Sequence, residues 1–186
     1  LVPRPETETL VDAILNENLQ GKTLLELGTG SGAISISIAQ ENKDCFIFAT
    51  DISIKSILVA KQNAAKFYCE NIIFLNHDWN NEWLFPQVDY LISNPPYVDK
   101  EATSGKEEGI WHEPEIALFS KDKGLSDLKL ILSKGKKFLN ESGKVYLEHA
   151  PDQYEELNKF AMDNGYLNFS NLNDLNGDKR VSIYQC

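Results

Sequence analysis

Cysteine is scarce in this sequence, and long apolar runs are absent. The three cysteines, Cys45, Cys69 and Cys186, are an odd number at wide spacing, so neither a disulfide framework nor a zinc site is predicted. This usage is typical of a reducing compartment, and we expect a cytoplasmic protein. The longest unbroken apolar run, Cys45 to Ala49, is far shorter than the ~18 to 20 residues that a membrane-spanning helix needs.

Positive charge is scarce as well. Eighteen Lys and Arg residues stand against 28 Asp and Glu residues, which gives a formal net charge of −10, and Arg4 and Arg180 are the only arginines. Proteins that bind a duplex neutralise its phosphates with clustered Lys and Arg, so nucleic acid is a disfavoured partner. Methionine occurs once, as Met162, and we therefore expect that a segment preceding Leu1 is absent.

The remaining composition, 42% hydrophobic and 25% charged over 186 residues, indicates one globular domain with a real core. Most short apolar runs are continuous, as in parallel strands covered by helices on both faces. They are Thr23 to Leu27, Cys45 to Thr50, Ile72 to Leu75, Val88 to Ile92 and Val145 to Leu147. Helical patterns lie before and between them, at Glu6 to Asn18 with Thr7 as a helix-start residue, Ser53 to Lys66, Gly124 to Leu139 and Tyr154 to Asp163. This alternation predicts a doubly wound α/β domain.

Two segments depart from the simple pattern. Ala33 to Ala39 alternates apolar and polar residues with period two, which is typical of a strand. We nevertheless predict a helix there, because a parallel connection needs a crossover of a dozen or so residues, usually helical. After Tyr166 to Phe169, a turn around Asn176-Gly177-Asp178 leads to Arg180 to Tyr184. These residues predict a terminal hairpin whose last strand is antiparallel to the rest.

A glycine cluster, Gly28-Thr29-Gly30-Ser31-Gly32, follows the first predicted strand. Glycines in this position permit a tight turn and let backbone amides approach a ligand at a helix N-terminus, so we predict a nucleotide-like ligand. Gly28, Gly30 and Ala33 satisfy a dinucleotide motif, whereas Gly28, Gly30 and Gly32 satisfy the tighter loop of S-adenosylmethionine enzymes. The loop alone leaves both cofactors open.

Two further residues at strand ends are candidate nucleotide contacts. Asp51 lies nineteen residues past Gly32, where a carboxylate can accept hydrogen bonds from both ribose hydroxyls. The alternative is a cap for the helix near Ser53. Trp79 follows the third strand and could pack against an adenine, although a place in the core is nearly as good an interpretation.

Asn94-Pro95-Pro96-Tyr97 closes the fourth predicted strand. Its Asn side-chain oxygen and its carbonyls are acceptors, and proline has no backbone N–H. Such a site can accept both hydrogens of a planar NH2 group while Tyr97 stacks on the conjugated face. This predicts methylation of an amide or nucleobase nitrogen through positioning and electrostatics, without a nearby strong base. A rigid strand exit is the alternative.

The sequence resembles the protein-(glutamine-N5) methyltransferases of peptide-chain release factors. The resemblance depends on Leu1-Val2-Pro3-Arg4-Pro5-Glu6-Thr7-Glu8, the Gly28 to Gly32 loop, Asp51, Asp78-Trp79, Asn94 to Tyr97, Glu113-Pro114 and Ala117-Leu118. It implies a Rossmann-like class I methyltransferase fold with a seven-stranded, mostly parallel sheet. It also implies methyl transfer from S-adenosyl-L-methionine, which becomes S-adenosyl-L-homocysteine, to the glutamine amide in the Gly-Gly-Gln motif of a release factor.

The resemblance implies roles for individual residues. The methionine part of the cofactor would be wrapped by Gly28, Thr29, Gly30, Ser31 and Gly32, with Asp51 on the ribose and Trp79 on the adenine. Asn94 would contact both cofactor and substrate, and the catalytic candidates are Asn94, Pro95 and Tyr97. Pro96 would complete the glutamine pocket. Three charged residues would border that pocket, although local capping and ion pairing explain them equally well: Arg4, Glu6 and Glu113.

The resemblance further implies that residues 1–186 form a catalytic domain whose upstream helical domain is absent. The partner would be a release factor, with no direct nucleic acid and no membrane, and we expect a monomer. One departure from the family is Ala150 in Glu148-His149-Ala150, where glycine is common, and we expect little effect. No metal is expected, because His77, His112 and His149 are scattered without ligand spacing.

Three other functions compete with this one. A nucleic-acid methyltransferase acting on adenine N6 or guanine N2 would use the same acceptors on a flipped base, but the charge of −10 disfavours it. A dehydrogenase would use the glycine loop and has no use for Asn94 to Tyr97. An inactive binding module is disfavoured because Asp51 and Asn94 are both intact.

Overall fold

The computed structural model describes residues 6–99 and 117–186. Its helices are α1 (Thr7–Leu15), α2 (Ala33–Glu41), α3 (Ile54–Lys66), α4 (Ser126–Gly135) and α5 (Tyr154–Asp163). Its strands are β1 (Thr23–Leu27), β2 (Phe46–Asp51), β3 (Ile72–Asn76), β4 (Val88–Ser93), β5 (Val98–Asp99), β6 (Phe119–Ser120), β7 (Leu139–Glu148), β8 (Asn168–Asn173) and β9 (Lys179–Gln185). Helices separate β1 from β2, β2 from β3 and β7 from β8, as predicted, whereas no helix lies between β3 and β4.

Seven strands form one sheet in the order β3-β2-β1-β4-β7-β9-β8. The pairs along β3, β2, β1, β4 and β7 are all parallel, whereas β9 is antiparallel to both β7 and β8. The predicted terminal hairpin and its reversed last strand are therefore confirmed. β5 and β6 form a separate parallel pair.

The segment with period-two alternation is a helix, α2, as the crossover argument required. It packs against α1, α3 and β2, so it is buried on more than one side, and Ser35 between its isoleucines is fully buried. A helix enclosed in this way needs no single apolar stripe. Two helix predictions were too long: α1 ends at Leu15, and α4 ends at Gly135, where a 3-10 turn over Lys136–Phe138 leads into β7.

Hydrophobic residues fill both faces of the sheet. On one face, α1, α2 and α3 pack on a cluster that includes Leu24 and Ile38. On the other face, α4 and α5 pack on a cluster that includes Leu25, Leu27 and Ile131. The neighbours Leu24 and Leu25 belong to opposite clusters because successive strand side chains point to opposite faces. Helices therefore cover both faces, as expected.

The parallel strands bring the candidate site residues to one edge. Leu27 of β1 is paired with Thr50 of β2 and with Ser93 of β4, and Ser93 is paired with Leu147 of β7. The loops that follow these strands therefore emerge side by side at the carboxyl edge of the sheet, where open α/β sheets bind ligands. Within the described ranges, no helix has the length and hydropathy that crossing a bilayer requires.

Candidate active site

The glycine loop between β1 and α2 is built on backbone that favours glycine. Gly28, Gly30 and Gly32 have φ angles of 77°, 57° and 84°, in the left-handed region that costs other residues energy. The N–H groups of Gly28 and Thr29 both donate to the Thr50 carbonyl at 2.8 Å. The loop is thereby folded back onto the end of β2.

Two of these glycines also permit close packing. A Cβ atom on Gly28 would lie 3.1 Å from Cζ3 of Trp79, and one on Gly32 would lie 2.9 Å from Cδ1 of Ile36 and 3.1 Å from Cβ of Ala60. Gly32 therefore lets α2 begin directly against α3. Gly28 lets the Trp79 ring lie on the loop.

A buried carboxyl group in β1, that of Glu26, accepts hydrogen bonds from the glycine loop and from α2. Thr29 Oγ1 donates to Glu26 Oε2 at 2.8 Å, and the Ser35 hydroxyl donates to the same oxygen. Oε1 has no hydrogen-bond partner among the described residues. Burial raises the pKa of Glu26, against the effect of the hydrogen bonds from Ser35 and Thr29. The signal for Glu26 in the sequence is a single acidic residue inside an apolar strand.

Asp51 connects the loop to the start of α3. Its Oδ2 accepts the Gly30 N–H and its Oδ1 accepts the Ser53 N–H, both at 2.8 Å. The helix cap itself is Ser53, whose Oγ accepts the Ser56 N–H at 3.2 Å. A carboxylate oxygen can accept more than one hydrogen bond, so Asp51 keeps the capacity to bind ribose hydroxyls. That contact stays a prediction.

Trp79 lies at the border between the loop and the core. Its Nε1 donates to Oδ1 of Asp127 in α4 at 3.1 Å, and its partly buried ring packs against the α4-side cluster. The structure thus brings Trp79 to the glycine loop and also gives it a packing role. Contact with an adenine stays a prediction.

Asn94 is adjacent to the glycine loop. Ser93 Oγ donates to the Leu27 carbonyl at 2.7 Å, and these two residues immediately precede Asn94 and Gly28. The Asn94 Nδ2 group donates to Oγ1 of Thr7 at 3.1 Å. Pro95 and Pro96 behind it are buried, so the side chain is held at the sheet edge between α1 and the loop.

A second carboxyl group, Glu148 at the end of β7, lies behind this motif. Its Oε2 accepts the Thr7 hydroxyl at 2.8 Å and its Oε1 accepts the Tyr97 hydroxyl at 3.0 Å. α1 begins at Thr7, as predicted, but Thr7 does not cap the helix, because the N-cap is Glu6 and no side chain makes a cap hydrogen bond. Neither Thr7 nor Glu148 is near Asn94 in sequence, and no local pattern marks the pair.

The backbone of Tyr97 is also fixed. Nε2 of the buried Gln153 donates to the Tyr97 carbonyl at 2.9 Å and to the Lys123 carbonyl at 3.0 Å. Gly124 has a φ of 83°, and a Cβ atom there would lie 2.0 Å from the Tyr97 oxygen. Gly124 and Gln153 thus hold the end of the Asn94 to Tyr97 segment.

Other candidate residues lie apart or outside the described residues. Arg4, His112, Glu113 and Pro114 fall in the ranges that are not described. His149 is fully buried, with its ring nitrogens 2.7 Å from Ser182 Oγ and 2.8 Å from the Ala150 carbonyl, and burial lowers its pKa. Residues 6–99 and 117–186 contain no group of His, Cys, Asp and Glu side chains suited to a metal ion.

Known proteins resemble this chain in both sequence and fold. Residues 5–113 match the Methyltransferase small domain family. A release factor glutamine methyltransferase of Aliivibrio fischeri is 34% identical, covering 100% of this chain and 66% of the relative. One of Buchnera aphidicola subsp. Baizongia pistaciae is 33% identical, covering 100% of this chain and 67% of the relative. This chain belongs to the release factor glutamine methyltransferase family. It spans about two thirds of the length of these relatives.

The expected fold is also confirmed by a solved structure. A methyltransferase from Pyrococcus furiosus matches with a TM-score of 0.72 at 20% identity, covering 100% of this chain and 84% of that one. The sheet order with one reversed strand is thus the Rossmann-like class I methyltransferase fold. The glycine loop and Asn94 of this family member lie at neighbouring strand ends.

Proposed function

We propose that this chain is the catalytic domain of an enzyme that methylates the N5 amide nitrogen of the glutamine in the Gly-Gly-Gln motif of a peptide-chain release factor. The observation that carries the proposal is the placement of the Asn94 carboxamide. Its Nδ2 is engaged by Thr7 at 3.1 Å, so its Oδ1 lies on the opposite branch of the amide, away from Thr7. The relatives named release factor glutamine methyltransferases support a release factor glutamine as the substrate.

The residues at the sheet edge fit S-adenosyl-L-methionine as the methyl donor. Gly28 lets the Trp79 ring lie directly on the glycine loop, since a Cβ on Gly28 would come within 3.1 Å of that ring. Asp51 is held by Gly30 and Ser53 with capacity to accept hydroxyl hydrogens. We assign the loop, Gly28 to Gly32, to the methionine part, Asp51 to the ribose and Trp79 to the adenine. The bound donor supplies an electrophilic methyl group on a sulfonium centre.

The chain's own residues orient the substrate amide. Asn94 Oδ1 accepts one amide hydrogen and the Pro95 carbonyl accepts the second, which raises electron density on nitrogen and fixes its direction. Tyr97 covers the flat face of the amide, and Pro96 completes the pocket. The nitrogen loses a proton to water after methylation, so the pocket needs no strong base.

We also propose a protein partner and a simple assembly. The formal charge of −10 with two arginines favours a protein substrate over a nucleic acid, whose phosphates would be repelled. The catalytic domain would act as a monomer in the cytoplasm. Residues 1–186 would correspond to the catalytic part of the longer relatives.

Mass spectrometry of a release factor tests the proposal. The purified protein is incubated with the release factor and isotopically labelled S-adenosyl-L-methionine, and the Gly-Gly-Gln peptide is sequenced. We expect one added methyl group on the glutamine side chain and none on a release factor with alanine in its place. Labelling of adenine or guanine in added DNA or RNA, with an unmodified glutamine, would instead support the nucleic-acid methyltransferase.

A further inference from the structure

We propose that Thr7 and Glu148 are positioning residues that determine which end of the Asn94 carboxamide faces the substrate. The inference rests on the proposed function of Asn94. It concerns two residues that are 141 positions apart and that meet only in the folded chain.

The hydroxyl of Thr7 has a single hydrogen. An ionised carboxylate can only accept hydrogen bonds, so the 2.8 Å contact to Glu148 Oε2 uses that hydrogen. Charge-assisted hydrogen bonds of this kind are stronger than neutral ones. Thr7 Oγ1 is left with lone pairs alone, and toward Asn94 it can only accept.

Because Thr7 Oγ1 can only accept a hydrogen bond from Asn94, it favours one of the two orientations of the Asn94 carboxamide. An Asn side chain can be turned over with little change in volume, because its oxygen and nitrogen are similar in size. With Nδ2 toward Thr7, the 3.1 Å contact is a hydrogen bond. With Oδ1 toward Thr7, two acceptors would face each other at the same distance, which forfeits the bond and adds repulsion.

The selected orientation matters for the substrate. It presents Oδ1, an acceptor, on the side away from Thr7, where the proposed function requires an acceptor for an NH2 group. The reversed carboxamide would present its own NH2 group to the substrate NH2 group. Two donors cannot hydrogen-bond each other, so the substrate amide would lose its hydrogen bond to Asn94.

The same carboxylate also fixes the other end of the motif. Glu148 Oε1 accepts the Tyr97 hydroxyl at 3.0 Å, so Asn94 and Tyr97 are both tied to one group on β7. Glu148 is fully buried and Thr7 is 8% exposed. A buried carboxylate is costly unless hydrogen bonds compensate it, and its two hydroxyl partners are the ones that hold the pocket.

A matched pair of variants tests the inference. Thr7→Val keeps the shape and removes the hydroxyl, whereas Thr7→Ser keeps the hydroxyl. We expect Thr7→Val to lower kcat for release factor methylation roughly tenfold or more, with the Kd for S-adenosyl-L-methionine unchanged within about twofold. Thr7→Ser should restore most of kcat. If Thr7→Val does not fold, Glu148→Gln serves, because its carboxamide can donate to Thr7 and reverse the polarity, with the same expected loss.

A control variant distinguishes loss of Asn94 positioning from weaker packing of α1 against β7. Tyr146 of β7 donates its hydroxyl to Oε1 of Glu17, just past α1, at 2.6 Å. Tyr146→Phe removes a partly buried hydroxyl-to-carboxylate bond in which Thr7, Asn94 and Glu148 take no part. We expect it to lower the melting temperature without changing kcat. Equal kcat in folded Thr7→Val and in wild type would overturn the inference.

A second readout does not depend on the substrate. Slow hydrogen exchange of the Asn94 Nδ2 hydrogens, measured by NMR, should be lost in Thr7→Val and kept in Thr7→Ser. If wild type fails to methylate a release factor, the proposed function fails, and this exchange measurement still decides whether Thr7 orients Asn94. Unchanged exchange in Thr7→Val would overturn the orienting role.

Discussion

The backbone N–H of Gly30 donates to Oδ2 of Asp51 at 2.8 Å, which joins the glycine loop to the end of β2. Asp51→Ala removes this bond together with the proposed ribose contact. We expect the affinity for S-adenosyl-L-methionine to fall by ~1 to 3 kcal/mol, since charge-assisted hydrogen bonds are lost. Isothermal titration calorimetry measures it. Asp44→Ala, on an exposed turn before β2, is the control, and an unchanged affinity in Asp51→Ala would remove Asp51 from the site.

Asn94→Ala should act on turnover and leave cofactor binding nearly intact. The variant loses the acceptor that aligns the substrate nitrogen, and we expect kcat to fall by ~10² to 10³, as for other preorganised groups. Single-turnover methylation of a release factor and calorimetry with the cofactor separate the two effects. Asn164→Ala is the control, because Asn164 Nδ2 bonds to the Phe160 carbonyl at the end of α5. Wild-type turnover in Asn94→Ala would refute the assigned role.

Glu26 should make stability depend on pH. Burial raises the pKa of the folded carboxyl above its ordinary value of 4.5, so the folded state holds the proton more tightly than the unfolded state. The resulting stabilisation is complete below the unfolded pKa and is lost as pH rises through the folded pKa. Glu26→Gln stays neutral and lacks this loss. Urea unfolding from pH 4.5 upward should therefore favour the variant increasingly, and parallel profiles of the two proteins would contradict the burial argument.

Gly32→Ala should lower the free energy of unfolding by more than the backbone strain of a positive φ explains. Gly177 has a similar φ of 89° with nothing within 4 Å of an added Cβ, whereas the Cβ at Gly32 would lie 2.9 Å from Cδ1 of Ile36 and, in α3, 3.1 Å from Cβ and 3.3 Å from Cα of Ala60. We expect Gly177→Ala to lose ~1 kcal/mol of unfolding free energy through backbone strain. Gly32→Ala should lose a further ~1 to 3 kcal/mol through overpacking. Equal losses in chemical denaturation would mean that α2 and α3 can move apart at no cost.

Local sequence patterns predict most of the fold, and their failures have physical causes. α2 was predicted from the need for a crossover against its own periodicity, because topology constrains a segment more than alternation does. β7 was predicted only as Val145 to Leu147 and begins at Leu139. The pairing with β4 skips from Leu139 to Lys144, and the residues between include the exposed Glu141 and Ser142. A bulged, partly solvated stretch has no apolar pattern to detect.

Local sequence patterns likewise predict one part of the candidate site and miss another. Asp51 is the last residue of its strand, and the Gly28 to Gly32 loop and Asn94 directly follow theirs, so strand prediction was enough to place them at one edge. Glu148 joins them through Thr7 and Tyr97, and such a contact depends on how α1 packs beside β7. No spacing rule describes a contact between the first helix and the fifth strand of the large sheet along the chain.

The position of β9 in the sheet has a consequence for the pocket. β9 follows β8 in the described sequence, yet it lies between β7 and β8 in the sheet and places Val181 opposite Glu148. Without β9, β7 would be an edge strand with unpaired backbone groups. A mutation that loosens the pairing of β9 with β7 would therefore weaken the support of Glu148 and disturb the pocket without altering any residue that lines it.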